Sequence, residues 1–219
     1  MSTIFRLDAS IRDEASGSVT RAVASTLETA LTAQQGGLTI VRREIGLTPL
    51  PSTAWAASAF AGYVPSEERS ATQREGVALA ATLADELVEA DAYVLAVPFY
   101  NYGVSQHFKT WVDLVMTDAR FGPGAKPLDG RPAFLVIARG GGYGAGTPRE
   151  GWDHATAWLL RILTDLWGLD VQIIESELTL APVTPAMESL RELAAKNLRN
   201  AHDSAEGHGR ELARKLLVG

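Results

Sequence analysis

Cysteine is absent from the 219-residue chain, which excludes disulfides, thiolate catalysis and cysteine-ligated metal and permits a reducing compartment. A basic excess is also missing. Lys and Arg number 20 against 26 Asp and Glu, a formal net charge of -6, and no Lys/Arg tract occurs. That balance argues against nucleic acid as the main partner. No uninterrupted apolar run approaches the ~20 residues of a membrane span. The N-terminal stretch has Arg6 and Asp8 inside its apolar part, so it has the pattern of neither a signal peptide nor a span. A soluble, cytoplasmic protein is the expectation, with neither nucleic acid nor membrane as partner. The histidines, His107, His154, His202 and His208, form no HExxH motif and no compact set with ligand spacing, so no metal is expected.

What is present is an ordinary globular composition, long enough for one substantial core, and a single domain over residues 1–219 is expected. Short apolar runs alternate with helical periodicity. Strands are expected at Thr3–Leu7, Leu38–Glu44, Ala92–Val97, Ala133–Ala138 and Val171–Ile174. Between them, helices are expected at Val19–Gln34, capped by Ser18, and at Ala71–Ala90, Ser105–Met116 and Trp152–Trp167. Pro185–Leu217 reads as a terminal helical region interrupted near Gly207 and Gly209. Thr48–Ser70 lacks periodicity yet carries Trp55, Phe60 and Tyr63. It reads either as a loop packed on the surface or as part of a partner interface or pocket wall. Strand–helix alternation of this kind specifies an α/β protein, a parallel sheet covered on both faces.

Three loops then fall at carboxyl ends of strands and share one rim. The first, Ser10–Ser18, offers Ser10, Arg12, Ser16 and Ser18 before a helix N-terminus, where unpaired N–H groups and the dipole favour an anion. It contains neither GxGxxG nor GK[ST], so neither a dinucleotide fingerprint nor a Walker loop is present there. The second, after a strand break at Pro98, displays Phe99, Tyr100, Asn101 and Tyr102. The third, Arg139–Gly146, is glycine-rich, so its backbone can approach a flat ring closely. Together they suit a flavin mononucleotide (FMN).

Ser10-Ile11-Arg12 with Ser16 and Ser18, then Pro98 to Tyr102, Lys109 with Asp113, and Arg139-Gly140-Gly141 resemble, in this order, the FMN-dependent NADH-azoreductases, a flavodoxin-like group that also reduces quinones. The resemblance extends over essentially the whole length. It implies a flavodoxin-like three-layer sandwich with a five-stranded parallel sheet of order 2-1-3-4-5. It further implies that Ser10, Ser16 and Ser18 hold the FMN phosphate, that Phe99, Tyr100, Asn101 and Tyr102 line the isoalloxazine, and that Gly140, Gly141 and Tyr143 lie against it. Arg12, Pro98 and Arg139 join this cofactor set. NADH or NADPH as donor, a ping-pong mechanism, a quinone, azo or related aromatic acceptor and a homodimer with active sites at its interface are implied as well.

The sequence departs from the family pattern in three places. Thr117–Arg131 is shorter, His107 stands where glutamine is common, and Tyr102 stands where phenylalanine is common. A polycyclic quinone acceptor fits these changes. Tyr63 and Phe121 are candidate walls of the substrate pocket, and His107 is a candidate proton donor or a polar second-layer residue. A non-catalytic flavodoxin-like electron carrier or partner-binding protein is the alternative. A serine hydrolase is disfavoured because neither GxSxG nor a serine–histidine pairing is evident.

Overall fold

The computed structural model describes residues 2–218. Its elements are β1 (Thr3–Asp8), α1 (Val19–Gln34), β2 (Thr39–Glu44), α2 (Ala54–Ala61), α3 (Ala71–Val88), β3 (Ala92–Tyr100), β4 (Gly103–Val104), α4 (Gln106–Val115), β5 (Pro132–Ala138), α5 (Thr156–Leu160), β6 (Asp170–Ser176) and α6 (Arg191–Val218). The sheet runs β2-β1-β3-β5-β6, with every one of these pairings parallel. Counted along the chain, the five parallel strands have the expected order 2-1-3-4-5. The two-residue β4 adds an antiparallel hairpin at the end of β3.

Period-two alternation divides the core into two layers. Phe5, Leu7, Tyr93, Leu95, Val97, Leu135 and Ile137 face α3, α4 and the helical turns at 156–166, where Leu83, Leu87, Trp111 and Leu163 meet them. Ile4, Val94, Ala96, Phe134 and Val136 face α1 and α6, against Val23, Leu27, Leu31, Ala205 and Leu212. Trp111 lies at the centre of the first layer, stacked 6.1 Å from Phe5 and edge-on 5.4 Å from Trp167. Truncating such an aromatic to alanine typically costs ~3–5 kcal/mol. Among the described residues, no helix is long and apolar enough to cross a membrane.

Four expectations change. Thr48–Ser70 is not a plain loop, because Ala54–Ala61 is helical and Ser66–Glu68 forms a 3₁₀ turn. Helix α2, AWAASAFA, is too alanine-rich to show periodicity. It docks where Gly76 of α3 leaves room for its backbone: a Cβ on Gly76 would come within 2.9 Å of the Ala54 carbonyl and the Ser58 nitrogen. The C-terminal helix is not interrupted at Gly207 or Gly209; α6 runs through both, after a 3₁₀ segment at Pro185–Leu190. Gly209 is where α1 crosses, with Ala30 Cβ only 2.9 Å from where a side chain would start. Strand β3 does not stop at Pro98 but continues to Tyr100. Pairing with β1 ends at Ala96, while pairing with β5 continues to Pro98–Ala138, so proline sits where one neighbour has gone. The helix expected from Trp152 starts at Thr156 and becomes a π-helix over Arg161–Leu166. Its start is set by the Asp153 carboxylate, which accepts the Ala155 and Thr156 N–H groups at 3.0 and 2.9 Å.

Candidate active site

The carboxyl ends of β1, β3 and β5 bring the three loops together, as the strand order requires. They enclose a cavity of about 420 Å³ lined by Ser10, Ile11, Arg12, Gly17–Thr20, Pro98–Tyr102, Ala138, Gly140, Gly141, Tyr143, Arg149, Thr179 and Leu180. A volume of a few hundred Å³ is normal for a small-molecule site. Its only charged lining residues, among those described, are Arg12 and Arg149. Among the described residues neither guanidinium has an ion pair, in a chain whose net charge is -6. A cationic, carboxylate-free cavity in an acidic protein is suited to an anionic ligand.

The first loop is held from below. Arg21, on the first turn of α1, donates to the Ser10 and Arg12 carbonyls at 2.8 and 2.7 Å and forks onto the Glu44 carboxylate at 2.6 and 2.8 Å. Burial pulls the Arg21 pKa down, but Glu44 and Asp8 outweigh it and hold it above the ordinary value. Burial likewise raises the Glu44 pKa, and Arg21 with the Leu47 and Gly46 N–H groups brings it below the ordinary value. Ser18 caps α1 by accepting the Arg21 N–H, and the Ser10 hydroxyl accepts the Arg12 N–H at 3.2 Å. Ser16 stands outside the cavity, its N–H donated to Asp13 at 2.6 Å. Gly17, in the left-handed region at φ 87°, takes its place in the lining.

The second loop is a two-residue hairpin. Tyr100 pairs with Gly103 and Phe99 with Val104, leaving Asn101 and Tyr102 as the central residues at φ 50° and 68°. Both positive values make a type I′ turn, which normally takes Asn-Gly rather than Asn-Tyr. A bulky aromatic held in the left-handed region marks local strain, a feature that clusters at functional sites. Tyr100 anchors the hairpin to the first loop, its phenol oxygen accepting the Ile11 N–H at 3.2 Å. Phe99 is 8% exposed and faces the core, so it is less displayed than its loop position suggests.

The third loop is organised by Arg139, which is buried and does not itself line the cavity. It donates to Glu175 at 2.5 Å, to Asp153 at 3.0 Å and to the Thr156 hydroxyl at 2.9 Å, with its Cζ 4.7 Å from the Phe99 ring centroid. Burial opposes its charge, and the Glu175 and Asp153 carboxylates more than restore it, leaving the pKa above its ordinary value. The segment after β6 is laced to this loop, as the Leu178, Thr179 and Leu180 N–H groups donate to the carbonyls of Gly141, Arg139 and Gly140 at 3.2, 3.1 and 3.3 Å. Leu180 lies over Gly140 so closely that a Cβ there would fall 2.7 Å from its Cδ1. Tyr143 packs edge-on to Phe99 at 6.1 Å, and burial raises its phenol pKa.

Three further expected residues lie elsewhere. Phe121 is buried in the core, edge-on 5.2 Å from Trp167, and forms no wall of the cavity. Tyr63 is 86% exposed, beyond α2, and also stands apart from it. His107 lines a neighbouring groove with His154, Lys109 and Trp158, which shares Ile11, Tyr100 and Asn101 with the main cavity. There Lys109 pairs with Asp113 at 2.5 Å, as their spacing predicts. Among the described residues, no group of three His, Asp or Glu is placed to hold a metal ion. Sequence reasoning missed Gly17, Thr20, Arg149, Thr179 and Leu180. Thr20, two residues after the cap, was within reach of the helix-terminus argument; Leu180 is 40 positions from Gly140 and carried no signal.

An open parallel sheet with an anion-suited cavity at its carboxyl rim defines a nucleotide-binding α/β protein. A family model described as "Flavodoxin-like fold" matches residues 2–199. The chain is 37% identical over 208 residues to an FMN-dependent NADH:quinone oxidoreductase of Frankia alni, spanning 94% of this chain and 97% of that protein. It is 33% identical over 221 residues to the protein of the same name from Streptomyces coelicolor, spanning 100% and 98%. Among solved structures, an FMN-dependent NADH-azoreductase from Bacillus anthracis in complex with FMN superposes with a TM-score of 0.76 at 18% identity, covering 97% of this chain and 100% of that one, a likeness of fold. The chain belongs to the FMN-dependent NADH:quinone oxidoreductase family, within the flavodoxin-like fold.

Proposed function

We propose that this protein is an FMN-dependent oxidoreductase taking electrons from NADH or NADPH and passing them to a quinone, azo or related aromatic acceptor. The observation that carries this reading is the cavity itself: serine hydroxyls and the start of α1 at one end, glycine backbone and aromatic rings at the other, and arginines as the only charged lining among the described residues. Bound there, FMN would supply the two-electron chemistry, alternating between donor and acceptor in ping-pong fashion. Ser10, Ser18, Thr20 and the first free N–H groups of α1 would hold the phosphate, with Arg12 neutralising its charge. Asn101, presented by the strained hairpin, would hydrogen-bond the polar edge of the ring. Gly140 and Gly141 would bring their backbone to the ring; a side chain at either position would collide with Leu180 or Arg149. The Tyr143 phenol is protonated at neutral pH, as any tyrosine is, and can donate a hydrogen bond; burial pushes its pKa further up.

The same reading treats residues 1–219 as one FMN-binding domain and places the protein in the cytoplasm, where the nicotinamide donors are available. A homodimer is supported by Trp55, Phe60 and Tyr63, large apolar side chains that α2 and the turn after it leave exposed. A polycyclic quinone is supported by Tyr102 and Tyr143, which line the cavity, and by the half-exposed Trp152 packed edge-on against Tyr102. The test is the visible spectrum of the purified or FMN-reconstituted protein, followed by anaerobic NADH or NADPH. Flavin binding and bleaching, then reoxidation by a quinone panel, are expected. Absence of both binding and bleaching refutes the reading, whereas binding with bleaching only by a protein partner would favour the electron carrier.

A further inference from the structure

Arg21 does not line the cavity, yet its side chain governs how the first loop faces it. It stands in the first turn of α1 and is 7% exposed. Its backbone N–H is the one that the Ser18 cap accepts. Its guanidinium is engaged at all three nitrogens. Nε donates to the Arg12 carbonyl at 2.7 Å, Nη2 donates to the Ser10 carbonyl at 2.8 Å, and Nη1 and Nη2 fork onto Glu44. Glu44 in turn accepts the Gly46 and Leu47 N–H groups at 2.8 and 2.9 Å, which ties the end of β2 to the same guanidinium. Asp8, the other carboxylate behind the loop, is held by Arg6 at 3.1 Å and comes within 3.7 Å of Arg21.

The consequence is electrostatic. A peptide unit is planar and trans, so its C=O and the following N–H point in opposite directions. With the Ser10 carbonyl drawn to Arg21, the Ile11 N–H is turned the other way and donates to the Tyr100 phenol oxygen at 3.2 Å. Ser10 and Arg12 therefore line the cavity with their negative carbonyl ends tied beneath it, at a cation that also offsets Asp8 and Glu44. Once released, the same carbonyls are free to swing toward an anion and repel it. We propose that Arg21 is a positioning residue that makes the site select a phosphorylated over an unphosphorylated flavin while touching neither, by holding the Ser10 and Arg12 carbonyls away from the phosphate. This rests on the oxidoreductase reading only in naming the ligand as FMN.

The test titrates flavin fluorescence with FMN and with riboflavin, which lacks the phosphate, on the full chain freed of flavin. The wild-type protein should prefer FMN. Arg21→Met keeps an apolar stem and removes the donors. It should weaken FMN binding roughly tenfold to a hundredfold, the size of a lost hydrogen bond to a charged group, and riboflavin binding at most about threefold. Glu44→Gln, which removes the charge beneath the fork, should lower the preference in the same direction by less. Arg21→Lys, one point donor for two carbonyls, should recover only part of it. Equal weakening of both flavins, or a fall in Tm with the preference unchanged, would overturn the proposal, since a merely structural role moves stability and not the ratio. A wild-type protein that binds the two flavins equally would overturn it too. Full recovery by Arg21→Lys would overturn it in favour of charge alone. If Arg21→Met does not fold, Glu44→Gln and Arg21→Lys carry the same comparison. Failure of the wild-type protein to bind FMN would sink the oxidoreductase reading. Calorimetry with inorganic phosphate would then decide the role of Arg21: weaker binding in Arg21→Lys would uphold it, and equal binding would overturn it.

Discussion

Gly46 follows β2, and its N–H donates to the Asp8 carbonyl at 3.1 Å and to the Glu44 carboxylate at 2.8 Å. Its α-carbon lies directly beneath the first loop of the site. In Gly46→Ala the new methyl would fall on the Ser10 carbonyl and 2.8 Å from the Ala9 carbonyl carbon. Both obstacles are backbone, so no rotamer change relieves the overlap. Restoring ordinary contact requires the Ser10 segment to retreat by on the order of 1 Å. That movement carries the Ser10 carbonyl away from Arg21, whose 2.8 Å hydrogen bond clamps the loop. Overpacking costs ~1–3 kcal/mol, and loss of a hydrogen bond from a charged group adds ~1.5–3 kcal/mol if the loop cannot follow. Partial relaxation leaves about 2–5 kcal/mol, or roughly a 5–15 °C fall in Tm for a chain of this length. Displacing the phosphate-facing end of the site should weaken FMN binding roughly tenfold to a hundredfold, the size of a lost hydrogen bond to a charged group. Urea unfolding and titration of flavin fluorescence measure the two effects separately. A Gly46→Ala protein within about 0.5 kcal/mol of wild type and with unchanged FMN affinity would refute the packing argument, because it would mean that neither backbone is held where the structure puts it.

Three further outcomes follow from the same contacts. In α6, Gly207→Ala meets nothing within 4 Å and should be neutral or stabilising by up to ~1 kcal/mol, whereas Gly209→Ala meets the α1 backbone and should destabilise by ~1–3 kcal/mol; equal effects in thermal unfolding would contradict the helix crossing. Arg139→Met removes the cation that Asp153, Glu175 and Phe99 share, and should cost about 2–3 kcal/mol, below the fully buried range because Glu175 is half-exposed; a loss under about 0.5 kcal/mol in urea would contradict its role as a hub. Burial raises the Asp153 pKa, but the Thr156 and Ala155 hydrogen bonds and Arg139 outweigh it and hold it below its ordinary 3.8. Its stabilisation is therefore complete above that value and is lost as pH falls through the lower folded one, so Asp153→Asn should flatten the acid limb of stability against pH below about 4.

Much of the fold was legible because periodicity reports burial. The short apolar runs of β3 and β5 mark strands buried on both faces, the four-residue spacing of Val23, Leu27 and Leu31 marks the face of α1 that meets the sheet, and the observed elements follow them. What escaped had a different cause in each case. The sequence AWAASAFA has apolar residues on every face and shows no stripe, so α2 is specified by its partner Gly76 and not by its own pattern. Gly207 and Gly209 read locally as helix breakers, while tertiary contact with α1 makes the second of them a requirement of the crossing.

The site divides along the same line. Residues adjacent to strand ends could be found, since an open parallel sheet brings such ends to one rim wherever the strands lie in sequence. Arg139 was found by position and turned out to stand behind the cavity, because its carboxylate partners come from β6 and from the turn before α5, which no local pattern ties to it. Tyr102 shows what a sequence cannot display even at a correctly chosen position. Its φ of 68° arises from closing Tyr100 onto Gly103 in two residues. The sheet sets the position of the hairpin, the hairpin imposes the strained conformation, and that conformation turns Tyr102 toward Tyr143 and Trp152. Replacing Tyr102 by glycine would relieve the strain and remove the aromatic surface together. A change in stability smaller than the accompanying loss in aromatic-ligand affinity would be the sign that strain is spent on presenting that ring.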